Sequence, residues 1–406
     1  MTVWRRYRLK DICTYIGSGT TPKSSNSKYY DNGTYYWINT GDLNNGVVSS
    51  SKQQISDFAL KDYPTLRFYP KGTIIEAMYG ATIGKVGMLG MDATVNQACC
   101  AMVIDRNKAI PNFVLYYLVY YKPQLIKESF GGTQPNVNQF KVSNIVICIP
   151  PLETQQKIIT YLDTKLSEID HQVSLLTSKR DAYLRLKKSI INHAVTRGLD
   201  QNVKMKDSGI EWIGEVPEHW EVKRMKDCIK LTKGNTPKEL SFEATNLPYL
   251  TMDYLRNRVG KEVMYPTETD GLLEVNANEI LVLWDGANAG EFILSKEGYL
   301  GSTMALIQSE KEIISKSYLL YLLKAIESYS KYFANGTTIP HFNCLSVINR
   351  LYAFPPLPEQ RAIATYLDDK CAKIDTIVSN LDKQISRYGD LKRSLIEEVI
   401  TGKRAV

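Results

Sequence analysis

IPPLETQQKIITYLDTKLSEID, Ile149 to Asp170, and FPPLPEQRAIATYLDDKCAKID, Phe354 to Asp375, are nearly the same sentence written twice, 205 positions apart. Aligned without gaps, Pro150–Thr196 and Pro355–Thr401 are identical at 21 of 47 positions, among them Pro151/Pro356, Gln155/Gln360, Tyr161/Tyr366, Asp163/Asp368, Asp170/Asp375, Tyr183/Tyr388 and Ser189/Ser394. Self-similarity of this kind means that one structural unit is used twice in the chain. The similarity extends outward more thinly. RYRLKDICTYIGSGTTPK near the start is echoed from Val222 by VKRMKDCIKLTKGNTPK, and FGGTQPNVN (Phe130–Asn138) by FANGTTIPHFN (Phe333–Asn343).

The repeated segment has the periodicity of a helix with a single seam. In the second copy Leu367, Cys371, Ile374, Val378, Leu381, Ile385, Tyr388, Leu395 and Val399 follow steps of four and three, with Lys392 the one polar break. In the first copy Leu162, Leu166, Ile169, Val173, Leu176, Tyr183 and Ile190 lie on the same grid, interrupted by Arg180 and Lys187. A 3.5-residue repeat is the signature of a coiled-coil seam. The Pro-Pro pairs block upstream extension, and Pro358 suits a first turn. A helix over Glu153–Thr196 is about 66 Å long at ~1.5 Å per residue. Such a helix with one apolar stripe needs a partner. The other copy is the natural one, which predicts an intramolecular antiparallel pair; the competing reading packs each helix on its own domain. Leu162, Ile169, Val173, Leu176, Leu367, Ile374, Val378 and Leu381 are the expected helix-pair and partner-docking residues.

The divergent segments mix short strand-like runs (GTIIEAMYG, VGMLG, NEILVLWDG, SVINRLYAF) with helical ones (FVLYYLVYYKPQLIKESF, SYLLYLLKAIESYSKYF). The expected class is α+β: two mixed α/β domains joined by two long helices that form an antiparallel coiled coil, a pseudo-twofold tandem repeat. The boundaries are 1–150 for the first domain, 151–197 for the central helix, 198–219 for a connector broken by Gly198, Gly209, Gly214 and Pro217, 220–355 for the second domain, and 356–406 for the C-terminal helix.

Composition narrows the function. With 44% hydrophobic and 23% charged residues, the chain is an ordinary globular protein. Its formal charge of +7 permits a nucleic-acid partner without requiring one. No apolar run approaches a membrane span, and MTVWRRYRLKD lacks the apolar core of a secretory signal, so a cytoplasmic location is expected. Seven cysteines, odd in number and without C-x-x-C spacing, argue for free thiols. Catalytic signatures are missing. GATIGKV (Gly80–Val86) is too short for a phosphate-cradling loop and has Val86 where a hydroxyl belongs; it reads as a turn with a basic tip. No G-x-G-x-x-G opens a helix, and the four histidines lack metal-ligand spacing. Binding is the better reading than bond-making.

The candidate binding residues lie in loops rich in Gly, Thr, Asn, Gln and Lys. Asn and Gln can pair with adenine, Arg and Lys with guanine, and Lys with phosphates. On that chemistry the candidates for DNA contact are Lys23, Lys28, Lys85, Gln134, Asn136 and Asn138 in the first domain, and Lys238, Arg256, Arg258, His341 and Asn343 in the second. Plain turns favour the same residues, so both readings stand at this level. Of the 26 tyrosines, those at helical spacing such as Tyr116, Tyr117, Tyr318 and Tyr321 read as packing, while Tyr29, Tyr30 and Tyr254 are contact candidates.

Two divergent domains, each followed by a PPL-x-x-Q…YLD-x-K…ID helix and linked by MKDSGIEWIGEVPEHWEVKRMKD, closely resemble the specificity subunit of type I restriction–modification enzymes, over essentially the whole chain. The resemblance implies two target-recognition domains, each reading one half of an asymmetric bipartite site in double-stranded DNA. It also implies that the helices set the spacing and dock two methyltransferase subunits, with restriction (translocase) subunits joining that core. It implies no catalysis and no cofactor in this chain, with S-adenosylmethionine, ATP and Mg expected in the partner subunits. Two half-sites one DNA turn apart call for roughly 34–36 Å between reading elements, within reach of such a helix pair. A different class of function is a helical scaffold that organises protein partners without DNA; salt-sensitive DNA binding separates the two.

Overall fold

The computed structural model describes residues 4–129, 136–244, 246–257, 260, 262–309, 313–334 and 340–406. The repeated segments are single continuous helices, Leu152–Arg197 and Leu357–Ile400, one residue or so longer than the periodicity alone marks at each end of the first. The chain divides into two compact units, 1–177 with 383–406, and 178–382, so each unit takes part of both long helices.

In the first unit a five-stranded sheet runs in the order Cys13–Ser18, Cys99–Ile104, Ile74–Ala77, Val86–Leu89, Val47–Val48. A smaller sheet is formed by Gln53–Ile55, Tyr35–Ile38 and Thr94–Val95. Alternation along the Ile74–Ala77 strand sends Ile75 and Ala77 into the core between these sheets, while Ile74 joins the core under the helix Pro111–Lys127. That second core takes in Ile158, Leu162, Leu166 and Ile169 of the first long helix together with Leu395, Ile396, Val399 and Ile400 of the second. Arg5–Arg8 pairs antiparallel with Val146–Ile149 and so ties the start of the domain to the strand that feeds the helix.

The second unit repeats the plan. Its main sheet runs Ile229–Lys233, Met304–Ser309, Ile280–Leu283, Phe292–Leu294, and Glu221–Arg224 pairs with Leu351–Phe354 as the counterpart of the tie just described. The helix Lys316–Tyr332 covers a core shared with Ile191, Ala194 and Val195 of the first long helix and Ile363, Leu367 and Cys371 of the second. One sequence expectation needs correction here. SVINRLYAF is not one strand: Cys344–Ile348 is a short helix and only Leu351–Phe354 is extended. The connector carries structure of its own. Met205–Asp207 and Glu215–Pro217 form a hairpin, and Ile210 and Val216 are buried.

The repeat identities acquire a physical reason. Gln155 and Gln360 are fully buried. The Gln155 amide accepts from Ile110 N (2.8 Å) and donates to Pro150 O (2.8 Å) and Lys108 O (3.4 Å); the Gln360 amide accepts from Ser315 N (2.8 Å) and donates to Pro355 O and Ile313 O (both 2.9 Å). Each thus locks the Pro-Pro entry to the loop before the covering helix, where an apolar residue would orphan three backbone groups. The hydroxyl of Tyr116 donates to Asp163, and that of Tyr321 to Asp368 at 2.6 Å. The polar interruptions of the seam are paired as well. In the second unit Lys187 meets Asp375 (2.7 Å) and Arg180 meets Asp382 (3.5 Å), so the helices run antiparallel there; in the first, Lys392 meets Asp170 (2.7 Å). Asp170/Asp375 and Lys187/Lys392 are repeat-equivalent, so one ion pair is made twice. All seven cysteines are free thiols, and burial pushes Cys13 and Cys99 up to about 12.

Candidate nucleic-acid interface

Each domain presents a cluster of loops around the end of its central strand. After Ile74–Ala77 the chain turns through Gly80–Lys85 and returns as Val86–Leu89. At this turn Val137 N donates to Met78 O (2.9 Å), and Tyr79 bridges to Asn136. The second domain builds the same frame with other residues: Phe342 N donates to Trp284 O (2.7 Å), Gly286 N donates to Pro340 O (2.9 Å), and Asp285 bridges to His341. A second loop begins at the Gly-x-Thr-Pro-Lys echo. Gly19 N donates to Cys99 O and Gly234 N to Met304 O, and both glycines pass close over a neighbouring strand end. A Cβ would lie 1.9 Å from Val95 O at Gly19 and 2.3 Å from Leu300 O at Gly234. Only glycine fits, so the echo marks a shared backbone path that ends at Lys23 and Lys238.

The candidate contact residues divide into groups. Lys23 is exposed at the end of its loop, and Asn136 is exposed beside Tyr79. Lys85 is half-buried at the turn. It lies close enough to Lys122, which burial first and Lys85 second hold below the ordinary lysine range, to concentrate positive charge there. Other candidates are already engaged within the protein. Lys28 is paired with Asp62 (2.8 Å), Lys238 with Glu268 (2.9 Å) and Arg256 with Glu291 (2.6 Å). Glu291 is largely covered while Arg256 remains exposed, so this guanidinium is held by an ion pair at the domain surface. The Asn138 and Asn343 carbonyl oxygens cap the short helices Gln139–Ser143 and Cys344–Ile348, accepting from Lys141 N and Ser346 N. The cap uses only the amide oxygen of each asparagine. Gln134 and Arg258 lie outside the described residues.

Of the tyrosines, Tyr117 and Tyr318 pack into the cores as read from their helical spacing, whereas the three contact candidates are engaged within the protein. Tyr29 is buried, Tyr30 donates to Pro22 O (2.6 Å) against Trp37, and Tyr254 lies under Lys296 at 4.3 Å. Better placed aromatics were not singled out by the sequence. Arg67 stacks on Tyr15 at 4.3 Å, Phe68 packs edge-on to Tyr35, and Tyr79 and Phe140 are exposed. The available signal was the aromatic–basic run LRFYP at Leu66–Pro70.

The seam residues expected to pair the helices and dock partners lie inward along the helices. Leu162, Ile169, Leu367, Ile374 and Leu381 are buried, and Val173, Leu176 and Val378 are half-buried. Outward positions identical in both repeats include the apolar Leu186/Leu391, about half exposed at 47% and 50%, and the partly exposed aromatic pair Tyr161/Tyr366. Among the described residues no group of side chains has the composition of a metal site, and no helix is long and apolar enough to cross a membrane.

A tandem of mixed α/β domains on paired long helices, with two loop clusters of like frame and unlike chemistry, defines a two-site recognition protein. The family model for the type I restriction modification DNA specificity domain matches residues 1–175 and again 217–387, and the chain belongs to that family. Over nearly its whole length it is similar to two proteins of Methanocaldococcus jannaschii, the MjaIX specificity subunit (26% identical; 99% of this chain, 94% of the relative) and the putative MjaX specificity subunit (24%; 98% and 93%). The MjaVIII specificity subunit of the same organism is 38% identical over a shorter span, 46% of this chain and 43% of the relative. The fold matches, at a TM-score of 0.72 and 17% identity, 98% of this chain and 97% of a chain in a structure of the type I R-M system that addresses complex assembly and conformational transition.

Proposed function

We propose that this chain is the DNA-reading and assembly subunit of a type I restriction–modification complex, each domain reading one half of an asymmetric bipartite site. The observation that carries this reading is the doubled loop frame: the backbone is held in the same way twice, while the facing side chains are Tyr79 and Asn136 in one domain and Asp285 and His341 in the other. Equivalent frames with unlike tips suit two unrelated half-sites. The long helices support the assembly role, because identical exposed residues, Leu186/Leu391 and Tyr161/Tyr366, offer two like surfaces to two copies of one methyltransferase subunit. In this reading restriction (translocase) subunits join the same core. The chain performs no chemistry of its own, works in the cytoplasm, and leaves S-adenosylmethionine, ATP and Mg to its partners.

Methylome sequencing of a restriction-free bacterial host tests it. The chain co-expressed with its methyltransferase subunit should yield one bipartite methyladenine motif, absent with either protein alone. No motif from a verified soluble complex would overturn the DNA-reading assignment.

A further inference from the structure

Position 341 is a firmly held loop tip of the second domain. The backbone on both sides of it is pinned to the strand end by the Gly286–Pro340 and Phe342–Trp284 hydrogen bonds. The ring of Trp284 packs edge-on against Phe342 at 5.4 Å, and Lys233 lies over Trp284 at 5.2 Å. Asp285, with its side chain 22% exposed, faces two partners: His341 Nδ1 at 2.6 Å and Lys233 Nζ at 3.3 Å. The His341 side chain itself is 56% exposed.

Those contacts favour one arrangement of the ring's hydrogen when Asp285 is ionised. A carboxylate only accepts, so Nδ1 carries the hydrogen that it donates to Asp285. In the neutral imidazole Nε2 is then an acceptor, and it is the ring's one remaining polar atom. The first domain places Asn136 opposite Tyr79 at the equivalent point of its frame, with no carboxylate. The frame therefore holds its tip in both domains, whereas the hydrogen-bonding character of the tip is set separately in each.

We propose that Asp285 is a positioning residue that fixes His341 in the Nδ1–H tautomer, so that Nε2 accepts a hydrogen bond from the exocyclic amino group of one base in the half-site read by the second domain. This rests on the DNA-reading function proposed above and deepens it. Adenine N6 and cytosine N4 present such donors in the major groove; guanine O6/N7 and thymine O4 present acceptors there and would face another acceptor. Selectivity at that one base position follows from the tautomer, and the tautomer follows from Asp285.

The test uses the chain with its methyltransferase subunit in the same host, comparing the wild type with His341→Ala and Asp285→Asn. His341→Ala should relax one base position of the second half-site by about tenfold, the scale of one directed hydrogen bond, and leave the first half-site intact. In Asp285→Asn the amide can donate to Nδ1, which leaves Nε2 to carry the hydrogen. The same base position should then shift toward acceptor-bearing bases. Nitrogen-15 spectra of the histidine-labelled protein, which has only four histidines, should show the His341 ring hydrogen move from Nδ1 to Nε2. An unchanged motif in both variants would overturn the inference, as would a uniform loss of methylation with no change at any single base, which marks a purely structural role. A wild-type complex that yields no motif would instead sink the DNA-reading function, and this inference with it.

Discussion

Glu76 shows how far a single side chain can depart from its repeat counterpart. It lies in the middle of Ile74–Ala77, wholly buried, and its Oε2 has no hydrogen-bond partner among the described residues. Burial pushes its carboxyl up to about 8. At the equivalent point of the second domain, aligned through Gly80 and Gly286, stands the buried Val282. A carboxyl with a raised pKa favours the folded state fully only below its unfolded value of about 4.5, and that advantage drains away as pH rises toward 8. Glu76→Val should therefore be worth up to about 3 kcal/mol at pH 7 and little at pH 4.5. Thermal denaturation from pH 4.5 to 8 measures this. A gain that is flat across that range would mean that Glu76 is not the titrating group.

For the long helices, the seam and the outward face make opposite predictions. Leu367 is fully buried in the second unit's core, so Leu367→Asp places an unpaired charge there and should cost several kcal/mol, enough to unfold the unit. Leu391 is half exposed, so Leu391→Asp should leave the melting temperature within a degree or two while weakening methyltransferase binding at least tenfold. Calorimetric titration with the isolated methyltransferase subunit separates the two effects. Equal binding by Leu391→Asp and wild type would remove this face from the docking surface. The ion pairs that interrupt the seam are partly exposed and contribute well under 1 kcal/mol each, so their value lies in fixing register. A slipped pairing would leave Lys187 and Lys392 against apolar neighbours.

Taken as a whole, the chain closes neither unit with its own repeat alone. The first unit's core is completed by Leu395, Ile396, Val399 and Ile400, whose repeat equivalents are Ile190, Ile191, Ala194 and Val195. A fragment of residues 1–198 should accordingly dimerise, with the end of each copy's helix standing in for the missing one. Light scattering on the purified fragment checks this, and a stable folded monomer would contradict it. The same interdependence explains why the repeat is so much better preserved along the helices than in the loops. Each long helix must serve two cores, one at each end, whereas Tyr79 and Asp285, or Asn136 and His341, need only share a backbone frame.

Several features are legible in the amino-acid order itself, and they share a cause. The long helices, their pairing, the absence of catalytic motifs and the two-domain plan depend on periodicity and on local rules such as proline's exclusion from helix interiors, which act over a few residues and repeat along the chain. The roles of Lys28, Arg256, Asn138 and Asn343 are not legible there, because a polar loop residue looks the same whether its partner is a base, a carboxylate tens of positions away, or its own helix's first turn. Only folding brings Glu291 to Arg256, Asp62 to Lys28 and Asp285 to His341. Hydrogen bonds and ion pairs act over about 3 Å, and separation along the chain says nothing about distances on that scale; the tertiary structure alone sets them.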